Sequence, residues 1–316
     1  MKILVTGASG FMGQKLVDEL INAGHEIRIF LRHKNKQLTK LSVEVVVGQF
    51  NDQICLNKVC QNIDVIYHLA AIRDKWGTPW QEYLEVNVNN TKNLLDAAVK
   101  SNVKQFIYIS SISVVTPPFD KKYYGQSKKL AEEVVNKFQL SGRINTTIIR
   151  PVITYGPNDN GMIYKMILMI KSGKFVIIGN GQNTVHLCYI DDLMQGLLKV
   201  LGNSKAYGKT YVLPGPKPIK INDLVLMINR ILNKKPNLIH IPLIIAKPIA
   251  YVIEKIYRSL NLKNEPIISL NKINTIAVNR SFDYDLTQKE LGYEPKFDYQ
   301  IGLDKTIDSM RKNKLI

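Results

Sequence analysis

The run Gly7-Ala8-Ser9-Gly10-Phe11-Met12-Gly13 constrains this chain most, because it stands directly after an apolar segment, Lys2 to Thr6, and opens an amphipathic one. A strand that turns at once into a helix needs these glycines. Gly7 permits the tight turn, Gly10 lets backbone approach a bound anion, and Gly13 lets the helix pack closely on the strand. Free amides at the helix start are placed to meet phosphate charge. A structural strand-to-helix junction uses the same residues, so the rest of the chain has to decide between the two readings.

The first half alternates short β-rich runs with helical stripes, which predicts a parallel sheet covered by helices. Strands are expected at Lys2 to Thr6, Glu26 to Leu31, Val43 to Val47, Val65 to Leu69, Phe106 to Ser110 and Thr146 to Ile149. Helices are expected from about Met12 to Asn22, Val88 to Lys100 and Gly125 to Leu140. After Arg150 and Pro151 turn residues appear at Tyr155 to Asn158 and at Gly179 to Gly181, and a helix starting near Asp191 returns to the sheet. The expected class is α/β: a Rossmann-type doubly wound sheet made by 1–160 and about 185–215, with a smaller substrate-binding cap from about 161–184 and 216–316. With 316 residues and 45% apolar content, the chain can fill such a core.

Cys55, Cys60 and Cys188 are too few and too scattered for a disulfide framework or a paired zinc site, and read as reduced core thiols. No metal is expected. The N-terminus carries no charged leader before a long apolar stretch, so a cytoplasmic protein is expected. A formal net charge of +17 spreads along the whole chain, which reads as a solvated basic surface, with a membrane-facing patch as the alternative; no nucleic-acid motif accompanies it. Leu238 to Tyr257 is largely apolar but broken by Pro242, Lys247, Pro248, Glu254 and Lys255. It reads as a cap helix lining an apolar substrate pocket, with peripheral membrane contact as the other reading.

Arg32, His33 and Lys34 follow the second strand, where an NAD-selective site usually places a carboxylate. A cation there favours the 2′-phosphate of NADP over NAD. Tyr124 and Lys128 stand four residues apart on one helical face. An ammonium beside a phenol favours the phenolate, which suits proton exchange with a substrate hydroxyl or carbonyl. Ser110 and Ser111 close the preceding strand, and Asn87 heads a further helix.

Together with Tyr67-His68-Leu69-Ala70-Ala71, Asn87 to Thr91, Arg150-Pro151, Tyr155-Gly156-Pro157, Tyr189 to Asp192 and Leu291-Gly292-Tyr293-x-Pro295, these motifs resemble an extended short-chain dehydrogenase/reductase. The likeness is to the NAD-dependent epimerase/dehydratase family, and it spans nearly the whole chain. It implies Tyr124 as general acid/base, Lys128 on the nicotinamide ribose, and Ser111 orienting the substrate oxygen, with Ser110 and Ser113 as alternatives. It further implies Asn87 in support, Leu69, Ala70, Ala71, Pro151 and Ile153 bordering the cofactor, and a homodimer through the helices around Asn87 to Lys100 and Gly125 to Leu140.

Asp74-Lys75-Trp76-Gly77, Trp80 and Tyr83 resemble the 3β-hydroxysteroid-dehydrogenase/dihydroflavonol-reductase-like branch, and Arg73, Trp76, Trp80 and His186 are candidate substrate contacts. His186 also reads as an ordinary structural histidine. Val185 stands where nucleotide-sugar members usually carry an arginine, Gln49 where many relatives have an acidic adenine contact, and Val115-Thr116 replaces their Tyr-Gly. The expected activity is hydride transfer between NADP or NAD and a hydroxyl or carbonyl of a small, fairly apolar molecule. A nucleotide-sugar 4-epimerase or dehydratase with tightly held NAD is the alternative, and a non-catalytic NADP-sensing interaction protein the alternative of another class.

Overall fold

The computed structural model describes residues 1–35, 38, 42–116, 123–236, 238–262, 264–266, 268–276 and 278–316. The first half holds β1 (Lys2–Thr6), α1 (Phe11–Asn22), β2 (Glu26–Leu31), β3 (Glu44–Val47), α2 (Gln53–Cys60), β4 (Val65–His68), α3 (Trp80–Tyr83), α4 (Asn90–Lys100), β5 (Gln105–Ile109), α5 (Tyr123–Leu140), β6 (Asn145–Pro151) and β7 (Ile153–Tyr155). The second half adds α6 (Met162–Lys171), β8 (Ile177–Ile178), β9 (Thr184–Val185), β10 (Leu187–Tyr189), α7 (Ile190–Lys199), β11 (Lys209–Leu213), β12 (Ile219–Lys220) and α8 (Ile221–Ile231). It ends with β13 (His240–Ile241), α9 (Leu243–Ser259), α10 (Leu270–Ile276), α11 (Asp285–Leu291) and α12 (Tyr299–Lys312).

Among the described residues the principal sheet has seven strands in the order β11-β6-β5-β4-β1-β2-β3, all paired in parallel. Its strands are apolar on both faces, as a sheet covered twice requires. Ile3 and Val5 point into a core shared with Leu16, Val17 and Leu20 of α1 and Leu193 and Leu197 of α7. Leu4, between them, points the other way, toward Leu56, Leu94, Leu95 and Val135. The first core runs on without a break through Ile228 of α8 and Leu303 and Ile307 of α12, so the later helices are packed onto the sheet layer itself. The order reverses between β1 and β4, and a doubly wound sheet binds its ligand at the carboxyl ends of the strands at that point.

The expected strands are present, each within two residues of its predicted ends; β6 runs on through Pro151, which pairs with Leu213 on β11. That last strand was not anticipated, nor was α2, an eight-residue helix whose start is capped by the Asp52 carboxylate accepting from Cys55 N at 3.0 Å. The helix expected from Val88 instead begins as a π-helical stretch, Leu84–Asn89, that passes into α4. The segment expected to line an apolar pocket forms α9, but only Ala246 and Ala250 of it are buried. Most of its bulky side chains, Ile244, Ile245, Ile249, Tyr251, Val252 and Ile256 among them, face outward.

One partly buried ion pair ties α5 to the sheet. Arg150 of β6 donates from Nε and Nη2 to the two carboxylate oxygens of Glu132 on α5, at 2.8 and 2.5 Å. Glu132 is buried, so removing its partner strands a charge away from water. Arg150→Met is expected to lower unfolding free energy by about 3–5 kcal/mol, and adding Glu132→Leu to recover most of it. Urea unfolding of both variants measures this, and equal loss in single and double variants would contradict it.

Candidate active site

The glycine turn is built by contact with its neighbours. Gly7 adopts φ +75°, and a Cβ there would lie 2.7 Å from Ala70 N and from the Leu69 carbonyl carbon, so the turn crosses the end of β4 only as glycine. A Cβ on Gly13 would stand 2.2 Å from Gly7 O. Gly10 differs. With φ −83° and ψ 167° its backbone suits any residue, and a Cβ would meet nothing nearer than Gly7 O at 3.4 Å. The chain itself has no need of glycine there; a dinucleotide phosphate pressed against the backbone does. The first-turn amides of Phe11, Met12 and Gly13, which have no carbonyl partner within the helix, would supply the donors. The cradle therefore fits a dinucleotide.

Beside the cradle a chain of hydrogen bonds crosses from β1 to α5. The ring nitrogens of His68 pair with Thr6 Oγ1 at 2.7 Å and Thr91 Oγ1 at 3.0 Å, and Thr91 donates to Asn87 O at 2.8 Å. Since the Thr91 proton goes to Asn87, His68 donates from Nε2 and accepts from Thr6 at Nδ1. Burial, with the Lys128 charge adding, pushes its pKa down to about 3, so His68 is a neutral structural residue. Asn87, on the π-helical turn, accepts from Ile72 N at 2.8 Å and donates to Ile72 O at 3.0 Å and to Ser127 Oγ at 2.9 Å. Ser127 Oγ donates to Tyr124 O at 2.9 Å. Asn87 thus fixes both the loop leaving β4 and the first turn of α5.

Tyr124 lies in that first turn, half-buried, with the Ser111 hydroxyl hydrogen-bonded to its phenol. Burial raises the phenol above its ordinary range, while Ser111 and the charge of Arg73 oppose the rise. Ser111 Oγ also accepts from Ser113 N at 3.1 Å and lies 3.1 Å from Ser113 Oγ. Ser110, the other candidate, is buried, and its hydroxyl meets no partner among the described residues. One turn deeper, Lys128 is 2% exposed; its Nζ donates to Ile109 O at 2.6 Å and sits 4.3 Å from the centroid of the Tyr108 ring. Burial brings its pKa down to about 7 against the opposing pull of Glu132.

The remaining candidates divide. Leu69, Ala70 and Ala71 are half-buried at the end of β4, Pro151 and Ile153 lie at the β6–β7 junction, and Arg32 is exposed just past β2. Trp80 packs on Tyr123 with ring centroids 5.4 Å apart, next to Tyr124. Trp76 reaches the other way: its Nε1 donates to Leu262 O at 3.2 Å and the Arg258 guanidinium lies 5.1 Å from its ring. His186 is buried, with Nε2 at 3.0 Å from Gly215 O and Nδ1 accepting from Phe282 N at 3.2 Å, which leaves neither nitrogen for a substrate. Val185 is buried in β9, and Gln49 is exposed. Sequence reasoning passed over Thr6, Thr91 and Ser127, whose roles arise only from partners far along the chain. It named Tyr83 without the role its hydroxyl has in pinning Arg73 O and Lys75 N, and passed over Asp159, buried within reach of the Arg73 charge with Oδ2 unpartnered among the described residues.

The sequence profile of the NAD dependent epimerase/dehydratase family matches residues 3–213. The chain belongs to that family. Its curated relatives include the 2-alkyl-3-oxoalkanoate reductase of Shewanella oneidensis, 25% identical over 97% of this chain and 85% of the relative. The N-acetyl-α-D-glucosaminyl-diphospho-ditrans,octacis-undecaprenol 4-epimerase of Escherichia coli O157:H7 is 27% identical over 96% and 94%, and isoform 1 of the 3β-hydroxysteroid-dehydrogenase/decarboxylase of Arabidopsis thaliana is 27% identical over 97% and 79%. Among solved structures, the Bacillus cereus UDP-glucuronic acid 4-epimerase in complex with UDP-glucuronic acid and NAD superposes with a TM-score of 0.78, at 25% identity over 99% of this chain and 100% of that one. This epimerase/dehydratase-family protein is accordingly an enzyme of the extended short-chain dehydrogenase/reductase class.

Two outcomes follow from the geometry. Gly10→Ala is expected to leave stability within about 1 kcal/mol of the parent yet to weaken dinucleotide binding, whereas Gly13→Ala, with backbone in its way, is expected to cost several-fold more stability. Thermal melts and nucleotide titrations separate the two. Lys128, with its folded pKa near 7 and an ordinary value of 10.5, penalises folding fully below pH 7 and progressively less up to about pH 10.5. Lys128→Met is therefore expected to raise Tm at pH 6.5, by about 2–4 °C per kcal/mol recovered. The gap should narrow by pH 9.5; a constant gap would contradict it.

Proposed function

We propose that this enzyme transfers hydride between a nicotinamide dinucleotide and a hydroxyl or carbonyl on a substrate with a large hydrocarbon part. The observation that carries the proposal is Tyr124, held in the first turn of α5 with Ser111 on its phenol and Lys128 one turn deeper, beside a turn whose Gly10 is explained by a dinucleotide. The nicotinamide supplies or accepts the hydride when bound. Tyr124 moves the proton at its phenol oxygen, and Ser111 holds the substrate oxygen against it. A phenol lifted above its ordinary range stays protonated at neutral pH and donates, which suits carbonyl reduction. Lys128, ionised below about pH 7, adds positive charge one turn beneath Tyr124, which supports a role beside the nicotinamide ribose.

Arg32, exposed past β2, supports NADP over NAD through a charge-assisted contact with a 2′-phosphate. The names of the three relatives each contain an alkyl chain, a polyprenyl chain or a steroid skeleton, which supports the hydrocarbon-rich substrate. The undecaprenol-linked relative and the NAD-bound epimerase complex favour a second reading, 4-epimerisation of a sugar on tightly held NAD. The buried Val185 offers no cation to nucleotide phosphates and weighs against the nucleotide-sugar form of it. The first reading also comprises a cytoplasmic homodimer joined through α4 and α5, which light scattering tests.

The deciding experiment titrates nucleotide-free protein with NADPH and NADH and follows NADPH oxidation with a long-chain 2-alkyl-3-oxoalkanoate. Turnover is expected, with Tyr124→Phe lowering kcat about 10²–10⁴-fold and leaving nucleotide affinity nearly unchanged. Arg32→Glu is expected to reduce the preference for NADPH at least about tenfold. Stoichiometric NAD released on denaturation, without turnover of free cofactor, would replace this reading with the epimerase.

A further inference from the structure

α9 is built inside out. Its buried positions are Ala246 and Ala250, which pack with Ile273, Ile178, Ile241, Leu243, Ile268 and Leu270 in a small satellite core. Its large apolar residues point to solvent: Ile245, Ile249, Val252 and Ile256, at spacings of 4, 3 and 4, are 51, 46, 54 and 48% exposed. Ile244 at 82% and Leu260 at 64% extend the patch along a helix about 25 Å long. A continuous outward stripe on an amphipathic helix marks a surface that something covers.

Charge identifies the cover. Lys247, Lys255 and Arg258 are exposed along the flank of the stripe, next to the exposed Tyr251, over whose ring Lys255 lies at 5.0 Å. The helix has one carboxylate, Glu254, and it is half-buried and turned inward to accept from Leu270 N at 2.7 Å. The chain as a whole carries +17. A second copy docking by the same face would set these cations against themselves, since a two-fold interface presents one patch to its own image. An anionic lipid surface complements both the apolar stripe and its basic flank, with the aromatic ring at the boundary. Among the described residues no helix is long and apolar enough to cross a membrane, so the contact is peripheral.

We propose that the outer face of α9 docks this enzyme onto anionic bilayers, the helix lying in the plane of the headgroups. The C-terminal end of the same helix meets Trp76 of the loop that follows β4, through Arg258 and, just beyond, Leu262 O. Docking therefore sets that loop facing the lipid. The surface stands on exposure and charge alone and does not depend on which reaction the site performs.

Sedimentation of the full chain with phosphatidylglycerol/phosphatidylcholine vesicles, and with phosphatidylcholine alone, tests it. The parent is expected to sediment with the anionic vesicles and far less with the neutral ones. Ile249→Glu/Val252→Glu is expected to weaken that binding by about tenfold or more at unchanged Tm and dinucleotide affinity. Lys247→Glu/Lys255→Glu should abolish the preference for anionic lipid. The proposal is overturned by equal sedimentation of the parent and Ile249→Glu/Val252→Glu, or by no sedimentation with either vesicle. It is equally overturned if those substitutions instead dissociate a self-assembled species in analytical ultracentrifugation while vesicles go unbound.

Discussion

Gly7 passes so close to the end of β4 that a methyl group has no room between them, and the site is organised around that approach. Because the turn and the strand end are in contact, Thr6 can reach both Ala70 N, at 3.4 Å, and His68 Nδ1, at 2.7 Å. From there neutral hydrogen bonds continue through Thr91, Asn87 and Ser127 to the backbone of Tyr124. The glycine turn after β1 and the first turn of α5, which carries Tyr124, are thus set by one connected network. Every donor in it is spent on a protein acceptor, so its work is positioning. A charged His68 would break it twice, by removing the acceptor that Thr6 uses and by repelling Lys128; burial keeps the ring neutral.

Two features of the site run against stability. The π-helical stretch Leu84–Asn89 replaces ordinary helical pairing with a wider turn, and its compensation is the inward placement of Asn87, whose amide satisfies Ile72 and Ser127 at once. π-Helical turns concentrate at functional sites for this reason. Lys128 is the second. An ammonium in a buried position beside a tyrosine ring carries a desolvation cost, and the pull of Glu132, itself held by Arg150, offsets only part of it. The Glu132–Arg150 pair is thus electrostatic support for Lys128 as well as a structural bridge from α5 to β6.

How much of this was legible in the residues follows from the range of the forces involved. The glycine turn, the both-faced apolar strands and the four-residue step from Tyr124 to Lys128 are local patterns, and local patterns survive translation into structure. The strand β11 escaped because it joins the sheet only after the chain has left it, beyond α7, and nothing in Lys209 to Leu213 announces its partner on β6. The π-helical turn has no signature of its own, so Asn87 was placed at a helix head when it lies inside a continuous helical run. His186 stood as a candidate ligand until its partners were visible: Gly215 and Phe282 are distant in sequence and consume both nitrogens. Asp159 could not be selected at all, since its interest arises from Arg73, on another strand's exit loop.

The same logic explains why the outward stripe of α9 was not legible in its residues. An apolar run interrupted by lysines and prolines predicts a helix with its large side chains inward, because that is how burial ordinarily stabilises a helix. Here the inward positions fall to alanines, whose small side chains let the helix sit close on α10, and the isoleucines are left outside. Periodicity reports that one face is apolar; it does not report which face the rest of the protein occupies. The fully buried positions of α9 are Ala246 and Ala250, and the exposed stripe takes no part in that satellite core. Such a stripe persists where it has a surface to meet, and in this chain it adjoins the loop of Trp76, which leads back to the strand end against which Gly7 is packed.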